Sequence, residues 1–255
     1  MLTLTRQEAV TAALAVVTDP ELDEPITDLG FVRSVAIDGS SVTVHLRLPT
    51  SFCSPNFAYL MASDAKDALV ALDWTDTVVV ELDDHHDSPI INAGLAGDLG
   101  YRGTFRHEAL DSLDELRTTF RRKAHTAAME RALTDLLRAD PSRSVESLAG
   151  VRLADLPEGE HRAALMRRRT AIGLPTAPEA FVLVDHDGGR PDNVPLAVAR
   201  ARSTRISIDG NAHFCRGLLR TRYPGAEHDQ TVRHDGLEPA DAAFISLSTL
   251  KESLS

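Results

Sequence analysis

Three short stretches of this sequence hold side chains that can bind metals or act as nucleophiles. The first is "TSFCSPNF", in which Cys53 comes just before Ser54 and Pro55. Ser54 can cap a helix, and Pro55 fits the first helical position. A helix start favours an anion, and the thiolate is the form of cysteine that binds metals. The sequence therefore predicts Cys53 as a metal ligand, with a buried structural cysteine as the alternative.

The second stretch is "DDHHD", residues 83–87, which contains two imidazoles and three carboxylates. Histidine and carboxylate side chains ligate iron, zinc and manganese. We interpret His85, His86 and Asp87 as candidate co-ligands of a metal held by Cys53. A solvated acidic loop is the alternative interpretation of the same residues.

The third stretch is "HFC", in which one residue separates His213 from Cys215. On a strand, or in a loop that enters a helix, residues i and i+2 can point to one centre. Asn211 could cap such a helix. The pair is therefore a second candidate set of metal ligands, and the alternative is that Cys215 is a core residue of an amphipathic helix.

Hydrophobic periodicity indicates the elements that position these residues. The pattern predicts a helix over 4–17, a hairpin over 31–48 with its turn at Asp38-Gly39, a helix over 56–72, a strand over 75–82 and a short helix over 90–101. This order predicts an α-β-β-α-β-α sandwich, in which helices pack on a three-stranded sheet. If the second and third strands are parallel, the Cys53 loop and "DDHHD" lie at the same end of the sheet.

The sequence after residue 103 has a different pattern. Helices are predicted over 107–139, 156–173 and 211–225, and short strands at 181–184 and near the end of 196–210. We therefore predict an α+β protein with two domains, 1–103 and 104–255, the second of which is mainly helical with a few short strands. The last twenty residues show too little periodicity to predict an element.

Charge is distributed unevenly along the chain. Residues 1–104 hold 5 Lys/Arg and 16 Asp/Glu, whereas residues 105–255 hold 22 of each. The acidic N-terminal part argues against a nucleic-acid partner and favours cations or a basic protein. No apolar run reaches the roughly 18–20 residues of a membrane span, and "MLTLTRQEAV" lacks the pattern of a secretory signal. We expect no membrane partner and a cytoplasmic location, where both cysteines stay reduced.

Three motifs in the first 103 residues occur in a recognisable order. D-P-E stands at 19–21, D-L-G at 28–30 just before the first strand, and T-S-F-C-S-P at 50–55. With the strand and loop that end in "VVVELDDHHDSP", this region resembles the metal–sulfur cluster assembly-factor family, which includes SufT-like and PaaD-like proteins and the eukaryotic cytosolic iron–sulfur targeting subunit. The resemblance implies a role in building or delivering iron–sulfur clusters, with Cys53 as a ligand and Asp28 and Thr50 in cofactor binding.

Two departures from the family pattern change the expected chemistry. Cys53 falls three rather than four residues after Thr50, and Ser54 stands between Cys53 and Pro55. The family's aromatic, proline-containing loop after the third strand is replaced here by "DHHDSP" at 84–89. Imidazole and carboxylate ligands select iron over a cluster held by sulfur alone, so this loop favours a mononuclear or dinuclear iron.

The leading prediction is a metallocofactor assembly or maturation factor that binds iron or an iron–sulfur cluster transiently, with zinc as an alternative metal. Relatives of the domain occur beside multicomponent oxygenases, so the resemblance implies a client metalloprotein such as a monooxygenase component. The second domain would recognise the client, and the chain could also pair as a homodimer. Two alternatives stay open, a metal-free adaptor that docks a client and a thiol- or metal-dependent hydrolase. No nucleophile elbow, Walker loop, dinucleotide motif or C-x-x-C pair supports an enzyme.

Overall fold

The computed structural model describes residues 4–106 and 113–223, and these residues form two compact units. The first unit contains residues 4–19, 24–106 and 213–223, and the second contains residues 20–23 and 113–212. The architecture is mixed α+β, with a small sheet in the first unit and a mainly helical second unit, which confirms the predicted fold class. The predicted domain boundary between residues 103 and 104 stays a prediction.

A three-stranded sheet lies at the centre of the first unit. Its strands are β1 (Val32–Asp38), β2 (Ser41–Arg47) and β3 (Thr77–Asp83), in the order β1-β2-β3. β1 and β2 are antiparallel, whereas β2 and β3 are parallel. The helices of this part of the chain are α1 (Arg6–Leu14), α2 (Pro55–Val70), α3 (Ser88–Ala96) and α4 (Gly100–Phe105). The predicted order is confirmed, with the last predicted helix divided into α3 and α4.

Local sequence explains why the strands are connected in this way. Gly39 turns β1 into β2 with a φ of +58°, a conformation that glycine adopts without a steric cost. Parallel β2 and β3 require a crossover connection, and α2 provides it. Alternate side chains of the two parallel strands are buried on one face: Val42, Val44, Leu46, Val80 and Leu82. The opposite face of these two strands carries the partly buried polar side chains of Thr43, His45, Glu81 and Asp83.

The second unit is built mainly from long helices. α5 spans Leu113–Ala139, α6 spans Glu160–Ala171, and α7 spans Val194–Arg222, with two short 3-10 segments at Glu146–Gly150 and Leu153–Asp155. Residues 194–212 of α7 belong to the second unit and residues 213–222 to the first. The helix predicted to stop at Gly173 does so, and Gly173 has a φ of +73°. Within the described residues, no helix is both long enough and apolar enough to cross a membrane.

The strand predicted near the end of 196–210 is wrong, because this segment lies inside α7. The predicted helix start at Asn211 is wrong for the same reason. The buried residues of α7 recur at helical spacing: Ala201, Ile208, Ala212 and Leu219. This apolar stripe outweighs the strand preference of the β-branched side chains at 206 and 208.

The strand predicted at 181–184 is reduced to one bridge between Arg152 and Phe181. A turn follows at once, since the backbone N–H of Asp185 donates to the Gly189 carbonyl at 2.9 Å. Among the residues described for this unit, the segment has no further strand with which to pair. The start of the predicted helix at 107–112 and all predictions after residue 223 lie outside the described residues.

Candidate metal centre at the cysteine loop

Two loops follow the parallel strands β2 and β3 at the same end of the sheet. We call residues 48–54 the cysteine loop and residues 84–87 the histidine loop. The backbone N–H of His86 donates to the Ser51 carbonyl at 2.9 Å, and His85 Nε2 lies 2.9 Å from the Cys53 carbonyl oxygen. The loops are therefore in direct contact, as parallel strands predict.

Cys53 is half-buried and lies just ahead of α2. Its Sγ is 3.5 Å from Thr50 Oγ1, and the same hydroxyl oxygen accepts a hydrogen bond of 3.2 Å from the Phe52 N–H. Pro55 occupies the first turn of α2 as predicted, but the Ser54 side chain makes no capping hydrogen bond. The first N–H groups of α2 are therefore not capped by the residue that the sequence favours for this role.

His85 forms hydrogen bonds through both of its ring nitrogens, one within the histidine loop and one to the cysteine loop. Nδ1 lies 3.1 Å from the backbone nitrogen of Asp87. Because that nitrogen can only donate, Nδ1 accepts, and the ring hydrogen is on Nε2, which donates to the Cys53 carbonyl. The residue is only 6% exposed. Metal coordination by His85 would have to break one of these hydrogen bonds, and its role as a ligand stays a prediction.

His86 and Asp87 are more accessible than His85. The His86 ring is exposed and stacks on Phe52 with 6.0 Å between the ring centroids. Phe52 is itself 82% exposed. Asp87 is half-buried and precedes α3, where its side chain makes no capping hydrogen bond. These two side chains are therefore the predicted co-ligands best placed to receive an ion.

Two residues at the C-terminal end of α7 donate hydrogen bonds to both loops. The sequence did not predict these contacts. The Arg222 guanidinium donates to the Leu48 carbonyl at 3.1 Å and to Ser51 Oγ at 2.8 Å, and it also donates to the Asp84 carbonyl. The Tyr223 hydroxyl donates to Asp84 Oδ2 at 2.9 Å. We call Arg222 and Tyr223 the C-terminal clasp.

The clasp also stabilises an unusual backbone conformation. Asp84 has a φ of +52°, which non-glycine residues adopt rarely and at a cost. Arg222 and Tyr223 hold both the carbonyl and the carboxylate of this residue. Burial raises the pKa of the Tyr223 hydroxyl, and the nearby Asp84 carboxylate raises it further. The hydroxyl is therefore a neutral donor, and the guanidinium groups of Arg47 and Arg222 lie 5.2 and 5.3 Å from its ring centroid.

The other motif residues lie on the loop before β1. Asp19 of D-P-E is buried, and Glu24, farther along this loop, forms an ion pair with Arg216 of α7. Asp28 of D-L-G is exposed and accepts a hydrogen bond of 3.2 Å from the Thr27 hydroxyl. The cofactor-binding roles of Asp28 and Thr50 stay predictions.

His213 and Cys215 lie in the interior of α7, not on a strand or at a helix entrance. Residues i and i+2 of an α-helix are about 200° apart around the helix axis, so the argument that both point to one centre fails. His213 is exposed and Cys215 is half-buried. Both Cys53 and Cys215 are thiols rather than disulfide partners. A metal-binding role for His213 and Cys215 stays a prediction without that geometric support.

The donor set of the cysteine loop fits iron or a cluster as cargo. Iron–sulfur clusters are commonly held by four cysteine thiolates, and this loop supplies one thiol, Cys53. The neighbouring histidine loop adds an imidazole and a carboxylate, those of His86 and Asp87.

The first unit therefore holds a thiol just ahead of α2, on a loop that contacts both histidines of the neighbouring loop. Residues 7–82, less than half of the chain, match the iron–sulfur cluster assembly protein family. The match includes the three motifs and the cysteine loop, and it ends at Leu82, before the histidine loop. This match indicates a role in iron–sulfur cluster assembly. Comparison with curated proteins and with solved structures gives no match.

Proposed function

We propose that the protein is a maturation factor that receives iron or an iron–sulfur cluster at Cys53 and passes it to a client metalloprotein. The observation that carries this proposal is the family match over residues 7–82, because it contains the one thiol of the cysteine loop. His86 and Asp87, accessible on the adjoining histidine loop, are the proposed additional ligands. Imidazole and carboxylate donors beside a thiolate suit iron, and zinc would also fit them.

Transfer by this site is a ligand exchange without a change of oxidation state. Cys53 Sγ would hold the metal as thiolate, an incoming thiol of the client would bind the metal and release its proton, and Cys53 Sγ would depart and take up that proton. A site with a single protein thiolate is suited to this step, because few metal–ligand bonds must break. Thr50 Oγ1, 3.5 Å from Sγ, can donate a hydrogen bond to the departing thiolate before it takes up the proton.

We propose further that the client is a component of a metal-dependent multicomponent oxygenase. The histidine loop supports this choice, because an imidazole–carboxylate set matches the iron sites of such enzymes better than a sulfur-only site does. Residues 113–212 of the second unit are the proposed client-recognition region. A metal-free adaptor is the second candidate function, and the observation that favours it is the concentration of negative charge in residues 1–104, with 16 Asp/Glu against 5 Lys/Arg.

The test is the iron content of the full chain purified anaerobically after expression with added iron. Cys53→Ser should lose most of the bound iron and sulfide. Ser54→Ala is the matched control, because it removes a neighbouring hydroxyl that makes no capping hydrogen bond, and it should retain wild-type iron. Equal iron in wild type and Cys53→Ser would contradict the proposal. An adaptor, by contrast, would activate an oxygenase client equally well with Cys53→Ser as with the wild-type chain.

A further inference from the structure

A second group of metal-binding side chains lies on the open face of the sheet. His45 is on β2, and Glu81 and Asp83 are on β3. In the parallel register His45 pairs with Glu81, and Asp83 follows two residues later. Because side chains alternate along a strand, all three point to the same face, opposite to the buried Leu46 and Leu82. We call these three residues the sheet-face cluster.

The donor atoms of the sheet-face cluster are close enough to share one ion. His45 Nδ1 is 3.1 Å from Asp83 Oδ1 and 3.7 Å from Glu81 Oε2, and all three donor atoms lie within 4.8 Å of one another. Zinc binds nitrogen and oxygen donors at about 2.0–2.2 Å, so donors of one ion stand roughly 3–3.5 Å apart. The imidazole and the Asp83 carboxylate already meet this spacing, and a small change of the Glu81 rotamer completes it.

The cluster is both reachable and held in place. Its side chains are 30% exposed for His45, 46% for Glu81 and 16% for Asp83. Arg33 Nη1 lies 2.5 Å from Asp83 Oδ2, so it orients the carboxylate and leaves Oδ1 towards His45. Supporting contacts of this kind fix a metal ligand in its binding orientation. Strand positions also reduce the cost of organising a site, compared with a loop.

The charge balance of the cluster favours a cation. Arg33 compensates one carboxylate, that of Asp83. Glu81 has, among the residues that the structure describes, no ion-pair partner except the His45 imidazole. One imidazole nitrogen and two carboxylates are donors that a divalent transition-metal ion accepts.

We propose that His45, Glu81 and Asp83 bind one divalent transition-metal ion, of the class Fe²⁺, Mn²⁺ or Zn²⁺. One imidazole and two carboxylates suit these ions, whereas Mg²⁺ and Ca²⁺ prefer oxygen donors alone. The site contains no thiol and does not depend on the maturation function proposed for Cys53. It gives the domain a second, sulfur-free place at which an ion can bind.

Co²⁺ is the probe that separates this site from the cysteine loop, because only a thiolate ligand adds a sulfur-to-cobalt charge-transfer band. The full chain with Cys53→Ser and Cys215→Ser, stripped of metal, is titrated with Co²⁺ under anaerobic conditions. We expect one Co²⁺ per chain without that band. Adding His45→Ala or Glu81→Gln should weaken Co²⁺ binding at least about tenfold. Thr43→Ala, a same-face neighbour on β2, is the matched control and should leave the affinity unchanged.

Two results would overturn the proposal: no Co²⁺ binding by the cysteine-free chain, or equal binding with His45→Ala and Glu81→Gln in folded variants. Weaker binding in either variant, with circular dichroism unchanged, supports it. Failure of the proposed maturation function would be seen in a different experiment, in which Cys53→Ser alone and the wild type bind equal amounts of iron.

Discussion

The cysteine loop and the sheet-face cluster begin on the same two strands but are positioned in different ways. The cluster is set by the register of β2 and β3, with Arg33 as a supporting contact. The cysteine loop leaves the sheet, and its shape depends on His85 and on Arg222, whose contact with Leu48 joins residues 174 positions apart. A site on strands keeps its geometry, whereas a loop site can change shape when it gives up a ligand.

The cysteine loop and the sheet-face cluster also differ in the types of metal-ligand atoms that they offer. The cysteine loop offers a thiol, with an imidazole and a carboxylate on the neighbouring loop. The sheet-face cluster offers one imidazole and two carboxylates and no sulfur. Thiolates favour clusters and soft ions, whereas nitrogen and oxygen donors favour Fe²⁺ and Mn²⁺. The two proposals therefore assign sulfur-dependent and sulfur-free metal binding to different places of one small domain, and variants that affect one place without the other test this assignment.

Arg222→Ala should give the largest difference between the two sites, because it should affect the cysteine loop and leave the sheet-face cluster unchanged. The change removes three hydrogen bonds from one guanidinium and leaves the carbonyls of Leu48 and Asp84 without this donor. We expect the free energy of unfolding to fall by about 3 kcal/mol, measured by denaturant titration. Iron bound through Cys53 should fall as well, because the cysteine loop loses its support. Co²⁺ binding to the sheet-face cluster should not change.

Arg200→Ala is the control for this prediction. Arg200 lies on the same helix, is exposed, and has no ion pair among the described residues. The substitution should change the free energy of unfolding by less than about 0.5 kcal/mol. If Arg222→Ala left iron uptake at the wild-type level, the cysteine loop would not depend on the clasp, and the contrast between the two sites would be lost.

The second-largest effect is expected from substitutions of His85. They test whether His85 positions the cysteine loop or binds the metal itself. His85→Ala removes the donor to the Cys53 carbonyl and the acceptor for the Asp87 N–H. We expect a loss of about 2 kcal/mol in the free energy of unfolding and lower iron content. His85→Gln offers an amide N–H in place of Nε2, so we expect it to restore the iron content.

Iron that is lost equally in His85→Ala and His85→Gln would instead support the ligand role predicted from the sequence. The Co²⁺ affinity of the sheet-face cluster serves as the internal reference for both variants, since His85 is outside that cluster. A change of that affinity would show that the two places are coupled.

Local signals explain what could be predicted from the sequence. Pro55 and the apolar stripe after it gave the start and the length of α2 to within a few residues. Asp38-Gly39 gave the hairpin turn, and strand alternation gave the three-stranded sheet. The contact between Cys53 and the histidine loop followed from one conditional step, parallel pairing of β2 and β3, which the structure confirms.

The parts that were missed depend on contacts between distant residues. Arg222 stands in a run of basic residues at a helix end and looks like ordinary helix surface, because its partner Asp84 is 138 residues away. His45 looks like one polar residue in an alternating strand until the register places it beside Glu81. α7 is a different case. The helical spacing of Ala201 and Ile208 is visible in the sequence, but the β-branched side chains at 206 and 208 also fit a strand, and the sequence-based prediction followed them.

The smallest predicted effect isolates one bond of the clasp, that from Tyr223 to Asp84. Tyr223→Phe removes this hydrogen bond and should lower the free energy of unfolding at pH 7 by about 1 kcal/mol. Burial raises the pKa of Tyr223 above its ordinary value of 10.0. Above pH 10 the unfolded chain therefore loses this proton while the folded chain keeps it, so the wild type loses stability as pH rises.

Tyr223→Phe has no hydroxyl that titrates at this position. The difference in the free energy of unfolding between wild type and Tyr223→Phe therefore depends on pH. The difference in the free energy of unfolding should be constant below pH 10 and should then fall by about 1.4 kcal/mol per pH unit, so that its sign reverses as pH approaches 11. Denaturant titrations of both proteins from pH 7 to pH 11 measure it, and subtraction removes the other tyrosines. A constant difference over the whole range would mean that Tyr223 titrates alike in the folded and unfolded chains. In that case its hydroxyl would not be buried against Asp84, and the cysteine loop would rely on Arg222 alone.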